Sequence, residues 1–344
     1  MPDSEIATVP IADGGDGLLQ SLATTLGATM HSVVAHDPLG RAITTYYAIS
    51  GSKAIIEMAQ ISGLALLKSE ERNPMLASSY GLGEVMLDAL DNGARSIILG
   101  IGGSATNDCG MGMLEALGYR FYDAQGEVLT SSGEAMCRVA RIDATNVDAR
   151  LSKCEIVVAS DVDNPLYGER GAAWVYAPQK GASPAMVEAL DEGMRTFAKV
   201  VGGDYHAVAG AGAAGGVGYA LMALLGATLR PGIELVLDTV GFDVLLDDAL
   251  LVVTGEGRID RQTLMGKGPS GVLRRAGLRG VPVIALGGRV EWSEELRSSG
   301  FERIYEATPA GMALDEAMQQ KTAQQNICHA AMRIAREWLS LHPR

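Results

Sequence analysis

The 344-residue sequence contains few aromatic residues and far fewer basic than acidic side chains. Aromatic residues make up 5% of a chain that is 47% hydrophobic, so the core must consist mainly of aliphatic side chains and methionine. The 28 Lys and Arg residues against 41 Asp and Glu give a net charge of −13. Nucleic-acid binding needs a basic surface, and this balance argues against it. No apolar run approaches the roughly 20 residues of a membrane helix.

Cysteine and histidine are also scarce, and neither shows a spacing typical of a metal site or a disulfide framework. The four cysteines are far apart and form no C-x-x-C pair, which favours reduced thiols. The first residues have neither the basic segment nor the apolar stretch of a signal peptide. We therefore expect a soluble, cytoplasmic protein without nucleic-acid or membrane partners, either monomeric or homo-oligomeric.

Short β-rich runs alternate with longer helical patterns along most of the chain. Helices are expected at 75–92, at 313–341 and from Pro184, with Ser183 as the cap of the last. This alternation is typical of an α/β protein with a mostly parallel sheet and helices on its faces. Residues 31–58 differ, because their β-rich runs are separated only by short turn sequences, which favours antiparallel hairpins. The alternation of helices and strands and the hairpins at 31–58 are two different architectures, which predicts two domains. Because no linker rich in proline or serine separates them, we expect the two domains to be interleaved.

The segment from Gly100 to Asp108 leads from a predicted strand through glycines into a helix. Such loops present backbone N–H groups to an anion, and a helix N-terminus favours negative charge. The residues predicted to bind a nucleotide phosphate are Gly102, Gly103, Ser104, Thr106, Asn107 and Asp108. Alternatively, the polar residues only cap the helix. The segment also matches G-x-G-x-x-A, with Asp123 after the next strand, so a nicotinamide-dependent oxidoreductase is a second interpretation.

Two acidic segments are candidate metal or proton-accepting sites. Asp161 and Asp163 follow a predicted strand, where two carboxylates could hold Mg²⁺ or accept a proton. Alternatively, Asp163 begins a simple turn with the following Asn-Pro. Asp13 and Asp16 lie among glycines near the start, where they could contact a ligand or cap the next helix.

A third glycine-rich segment, 253–269, carries both signs of charge after a predicted strand. It is not a P-loop, because Arg261 stands where that motif needs glycine. Arg258 and Lys267 can nevertheless neutralise phosphate, which an acidic chain must achieve locally. Alternatively, these charges are only solvated at the surface.

Five segments, in order, resemble those of the bacterial type I glycerate kinase family. They are Ala12–Gly17, Gly100–Asp108, Asp161–Leu166, Pro178–Ala182, and Thr254–Asp260 with Gly266 and Lys267. The resemblance covers roughly residues 5–336. It implies ATP-dependent, Mg²⁺-assisted phosphorylation of D-glycerate. The product is 2-phosphoglycerate in most bacterial members, and 3-phosphoglycerate is the alternative.

The resemblance also implies two interleaved α/β domains with an active-site cleft between them. We expect a flavodoxin-like or Rossmann-like domain at 74–160 with 239–344, and a second domain at 1–73 with 161–238. The family usually begins with a strand and a Pro-Asp-Ser-Phe-Lys segment, whereas Met1–Glu5 aligns better with the residues just before Ala12. A catalytically silent sugar-acid-binding protein is therefore a further interpretation.

Residue chemistry and resemblance together give each candidate a hypothetical role. The expected catalytic residues are Asp161, Asp260, Lys267 and Arg258, and the expected metal ligands are Asp161 and Asp163. The expected substrate-binding residues are Asp13, Asp16, Asn164, Lys180 and Glu256. The sequence leaves open which carboxylate is the base.

Overall fold

A computed structural model describes residues 5–12, 15, 17–266 and 268–342. The chain forms two compact units, one of Met1–Ile11 with Leu237–Arg344 and the other of Ala12–Val236. The second unit is therefore inserted in the sequence of the first. These boundaries differ from those of the expected domains, which were 1–73 with 161–238 and 74–160 with 239–344. The difference arises because Lys53–Glu57 pairs with Ser96–Gly100, so strands from both expected domains share one sheet.

The unit Ala12–Val236 is built on a six-stranded sheet. Its strands and those of a smaller sheet are β1 (Thr29–His36), β2 (Ala42–Ser50), β3 (Lys53–Glu57), β4 (Ser96–Gly100), β5 (Arg120–Tyr122), β6 (Val128–Leu129), β7 (Arg141–Asp143), β8 (Glu155–Ala159) and β9 (Thr228–Arg230). The large sheet has the order β1-β2-β3-β4-β8-β9, and the small one β6-β5-β7. The pairs β1–β2 and β2–β3 are antiparallel, which confirms the predicted hairpins, whereas β3, β4, β8 and β9 run parallel.

Helices connect these strands and cover the sheet. They are α1 (Leu18–Thr25), α2 (Ala59–Ser62), α3 (Tyr80–Asp91), α4 (Met111–Ala116), α5 (Gly133–Met136), α6 (Ala172–Tyr176), α7 (Pro184–Val201) and α8 (Ala213–Leu225). The helix α9 (Gly232–Thr239) follows β9 and includes the boundary at Val236. The predicted start of α7 is confirmed, because the Ser183 side chain accepts a hydrogen bond from the backbone of Met186. The helix expected from Met75 begins only at Tyr80, since residues before it form turns.

The register of the parallel strands sets where their connecting loops emerge. Glu57, Gly100, Ala159 and Arg230 lie in one row at the carboxyl ends of β3, β4, β8 and β9. The segments that follow β4 and β8 therefore leave neighbouring strands at the same edge. Ligands of α/β proteins bind beyond this edge of the sheet.

The unit containing Leu237–Arg344 has a smaller parallel sheet, β10 (Val252–Ile259), β11 (Val283–Val290) and β12 (Arg303–Glu306). Its helices are α10 (Phe242–Leu246), α11 (Gly268–Leu278), α12 (Glu294–Arg297), α13 (Leu314–Ala317) and α14 (Gln320–Leu341). The single helix expected at 313–341 is two helices, because Gln319 is extended. Buried Ile259, Ala285 and Ile284 belong to the cores on this sheet.

The expected α/β class is thus confirmed. Among the described residues, no helix is both long and apolar enough to cross a membrane.

Candidate phosphate-binding loop and surrounding site

The glycine-rich loop after β4 is held by backbone hydrogen bonds to the segment after α2. The N–H of Ala105 donates to the carbonyl oxygen of Ser62 (2.9 Å), and that of Leu64 donates to the carbonyl oxygen of Gly103 (2.8 Å). In the described part of the chain, the backbone N–H groups of Gly102 and Gly103 have no hydrogen-bond acceptor, and these two residues form a turn at the surface. Two consecutive free donors beyond a parallel strand can bind an anion such as phosphate.

Asp108 closes the loop and is fully buried. Its Oδ2 accepts hydrogen bonds from the N–H and hydroxyl of Ser79, both at 2.8 Å, and from the N–H of Gly112 at 3.1 Å. Its Oδ1 accepts one from the N–H of Gly110 at 3.1 Å. Burial raises the pKa of Asp108, while these hydrogen bonds oppose that shift. Asp108 therefore joins the loop to the starts of α3 and α4, as the capping interpretation expected.

Lys180 supports the same loop from another part of the sequence. Lys180 is only 3% exposed, and its Nζ donates hydrogen bonds to Ser104 Oγ (2.9 Å) and to the carbonyl oxygen of Thr106 (2.7 Å). Burial lowers the pKa of Lys180 to about 7, and the nearby negative charge of Asp108 opposes this decrease. The ammonium group thus bonds to the protein's own loop.

Three residues with left-handed backbone conformation at the start of α8 contact the loop. Ala214, Gly215 and Gly216 all have positive φ, and the carbonyl oxygen of Gly215 accepts a hydrogen bond from the N–H of Cys109 (3.1 Å). Cys109 itself has a φ of 50°, which is strained for a residue with a Cβ. This contact fixes the backbone on the C-terminal side of Thr106.

Thr106 and Asn107 point into the protein. Both residues are fully buried, and Thr106 Oγ1, Asn107 Nδ2 and Asn107 Oδ1 have no hydrogen-bond partner in the described residues. In this conformation the accessible part of the loop is the glycine pair Gly102 and Gly103. Phosphate contact through backbone donors therefore fits the structure better than contact through the Thr106 hydroxyl.

Asp161, Asp163 and Asn164 follow β8, at the same sheet edge as the loop. Asp161 is exposed, and its Oδ1 accepts a hydrogen bond from the N–H of Gly232 (2.8 Å), the first residue of α9. Asp163 is 76% exposed and forms an ion pair with Arg170 (3.2 Å). Asn164 has a structural role, because its side chain accepts from the Tyr176 hydroxyl (2.5 Å) and donates to the Arg170 carbonyl oxygen (2.7 Å).

The described residues contain no group of three or more His, Cys, Asp or Glu side chains placed to hold a metal ion. A Mg²⁺ ion needs fewer protein ligands than this, because it usually retains waters and binds substrate phosphates through one or two carboxylates. The carboxylates of Asp161 and Asp163 fit that donor set.

Glu256, Arg258 and Asp260 form a local network in the other unit, at the end of β10. Arg258 is 58% exposed and pairs with Asp260 (3.2 Å between Nε and Oδ2) and with Glu291. Asp260 Oδ1 also accepts a hydrogen bond from the N–H of Gln262 (2.7 Å), which caps the short helical turn Arg261–Leu264. Glu256 accepts a hydrogen bond from the Thr263 hydroxyl. The other predicted residues, Lys267, Asp13 and Asp16, lie outside the described residues.

The structure brings two predicted groups together, Ser104, Thr106, Asp108 and Lys180 in one unit and Glu256, Arg258 and Asp260 in the other. Sequence reasoning did not identify Ser79 or Gly215 as supports of the first group. The local sequence around Ser79 predicts only a helix cap, and the glycine-rich run around Gly215 predicts only a loop or a tightly packed helix. Neither pattern indicates which distant residue the side chain or backbone contacts.

The alternative of a dinucleotide fingerprint is not supported by the position of Asp123. Its carboxylate accepts hydrogen bonds from the N–H groups of Gln125 and Glu127, both at 3.0 Å, and pairs with Arg138 at 2.9 Å. It closes the antiparallel β5–β6 hairpin, which belongs to the small sheet. In the dinucleotide-binding arrangement the acidic residue follows the next parallel strand.

The chain is similar to known proteins over nearly its whole length. A model of the glycerate kinase family matches residues 1–339. The glycerate kinase of Halalkalibacterium halodurans is 46% identical over 327 residues, covering 93% of this chain and 86% of that protein. The glycerate 2-kinase of Escherichia coli K12 is 43% identical over 342 residues, covering 97% and 89%. A crystal structure of the protein provisionally named glycerate kinase 2 from Salmonella typhimurium LT2 has a TM-score of 0.89 and 40% identity, covering 98% and 90%.

Proposed function

Because the chain belongs to the glycerate kinase family, we propose that it transfers the γ-phosphoryl group of ATP to the 2-hydroxyl of D-glycerate. The products are ADP and 2-phosphoglycerate. The observation that carries this proposal is the similarity over almost the entire chain to relatives named glycerate kinase or glycerate 2-kinase. A cytoplasmic location stays a prediction from the sequence, which is compatible with both a monomer and a homo-oligomer.

The free N–H groups of Gly102 and Gly103 are the proposed phosphate donors. Phosphoryl transfer depends mainly on alignment and on charge stabilisation around the transferred group. Backbone donors supply both without a flexible side chain, and the buried bonds of Lys180 and Asp108 hold the loop that carries them. Arg258 and Lys267 are the proposed cations, and Glu256 is a proposed substrate contact.

Asp161 is the proposed acceptor of the glycerate hydroxyl proton. In the transfer, the hydroxyl oxygen forms a bond to the γ-phosphorus, ADP leaves, and the proton passes to a carboxylate oxygen. Asp161 is exposed beyond β8, which neighbours β4 and its loop. Asp260 and Asp13 are alternative proton acceptors.

Asp161 and Asp163 are also the residues that would hold Mg²⁺. When bound, that ion would neutralise negative charge on the transferred phosphoryl group. A carboxylate bound tightly to a metal is a poorer base, so Asp161 cannot fully serve both roles. If Asp161 is a metal ligand, its substitution by Asn raises the Mg²⁺ concentration needed for half-maximal turnover. If it is the base, turnover falls at saturating Mg²⁺.

The test is ADP release by the purified chain with ATP, D-glycerate and Mg²⁺. We expect turnover that needs both D-glycerate and Mg²⁺, and a product that enolase converts directly to phosphoenolpyruvate. Enolase acts on 2-phosphoglycerate, so a product inert to enolase until a phosphoglycerate mutase is added would overturn the 2-hydroxyl assignment. Thermal stabilisation by glycerate without any ADP release would instead support the silent-binder interpretation.

A further inference from the structure

Lys180 was expected to contact a substrate, but both of its hydrogen bonds end on the protein. We infer that Lys180 is a positioning residue, whose ammonium group holds the Ser104–Thr106 segment from inside the protein and contacts neither substrate. The residue is almost completely buried, and Ser104 Oγ and the Thr106 carbonyl oxygen lie 2.9 and 2.7 Å from its Nζ. The inference rests on the proposed function only for its kinetic test.

The backbone that carries Lys180 is itself fixed. Pro178–Lys180 forms a short helical turn, closed by a hydrogen bond from the N–H of Gly181 to the carbonyl oxygen of Pro178 (3.0 Å). Gly181 has a φ of +95°, and a Cβ at this position would lie 2.1 Å from the carbonyl oxygen of Arg72. The turn therefore packs tightly against a neighbouring segment, so the ammonium group is presented from a rigid support.

Two buried side chains of opposite charge type hold the loop. Lys180 donates hydrogen bonds to Ser104 and Thr106, and Asp108 accepts hydrogen bonds at the C-terminal end of the loop. Burying an ion costs several kcal/mol unless its bonds offset the cost. An apolar side chain in place of Lys180 would avoid this cost but would leave the Thr106 carbonyl oxygen and the Ser104 hydroxyl without their donor. The ammonium thus favours one conformation of the loop whose N–H groups we propose to bind phosphate.

The test compares Lys180→Met with the wild type by amide hydrogen exchange and by steady-state kinetics. In the ligand-free protein, we expect faster exchange at residues 102–110 and unchanged exchange in β8 and α7. We also expect kcat to fall on the order of 10²-fold, as small misplacements of binding groups can cause. Lys153→Met, which removes an exposed lysine, is the matched control and leaves exchange and kinetics unchanged.

Unchanged loop exchange together with a higher KM for a single substrate would show that Lys180 contacts that substrate, which would overturn the inference.

If Lys180→Met does not fold, Gly181→Ala is tested in its place, with Gly168→Ala as its control. Both glycines have a φ of +95°, but a Cβ on Gly168 meets nothing within 4 Å. We expect faster loop exchange in Gly181→Ala alone, and equal exchange in the two variants would contradict the inference. If the wild type releases no ADP, the proposed function fails, whereas the exchange data still test Lys180.

Discussion

Gly215 lies directly against Thr106, so closely that a Cβ on Gly215 would come within 2.0 Å of the Thr106 carbonyl oxygen. That same oxygen accepts the hydrogen bond from Lys180. The glycine-rich loop is thus confined by a backbone on one side and an ammonium group on the other. Its conformation depends on residues more than 70 positions away in the sequence.

The first prediction concerns Gly215→Ala, with Gly226→Ala as its control. Gly215 lies within α8 and has a φ of +67°, and Gly226 lies at the C-terminal end of α8 and has a φ of +66°. A Cβ on Gly226 would meet nothing within 4 Å. The two variants share the strain of a left-handed alanine, about 1–2 kcal/mol. We expect Gly215→Ala to lose a further 1–3 kcal/mol, roughly the cost of overpacking. Urea denaturation measures the difference, and equal stabilities would contradict the contact with Thr106.

The second prediction concerns Asp108→Asn. The carboxylate accepts four hydrogen bonds and donates none. An amide would turn its NH₂ group toward a backbone donor, so we expect the free energy of unfolding to fall by about 3 kcal/mol. Asp163→Asn, at an exposed ion pair, should change it by less than about 0.5 kcal/mol. Chemical denaturation without added metal compares the two, and similar losses would count against the network around Asp108.

The third prediction is a pH dependence of stability that Lys180 alone produces. Burial lowers the pKa of Lys180 to about 7, below the ordinary lysine value of 10.5. Between these values the unfolded state binds more protons, so the contribution of this group to stability increases as the pH rises. We expect the stability of the wild type relative to Lys180→Met to increase by about 1 kcal/mol per pH unit between pH 7 and 10.5. Denaturant titrations at several pH values check this, and parallel profiles would exclude it.

The fourth prediction concerns the proposed proton acceptor. Asp161→Asn should lower turnover at least tenfold, because general base catalysis typically contributes ~10²–10⁴ in rate. The fold should persist, since Asn can still accept the hydrogen bond from Gly232. Glu169→Gln, which neutralises a nearby exposed carboxylate, is the control and should leave turnover unchanged. Asp260→Asn is measured in parallel, and a large loss there with none at Asp161 would move the base to Asp260.

The sequence by itself determined the class of fold and many of its elements. Turn sequences between short β-rich runs placed the hairpins of β1, β2 and β3, and Ser183 with Pro184 marked the start of α7. These features depend on local backbone preferences, which a short window of residues contains. Five segments in their order were sufficient to indicate the family, because motif order along the chain needs no tertiary information.

Only the tertiary structure decided what each polar residue of the loop does. Lys180 reaches Thr106 across 74 positions, and Ser79 reaches Asp108 across 29. No periodicity or propensity specifies such pairs, since they follow from strand order and from helices packing on the sheet. Burial then separated the roles, because it withdrew Thr106, Asn107 and Lys180 from solvent and left the backbone of Gly102 and Gly103 accessible.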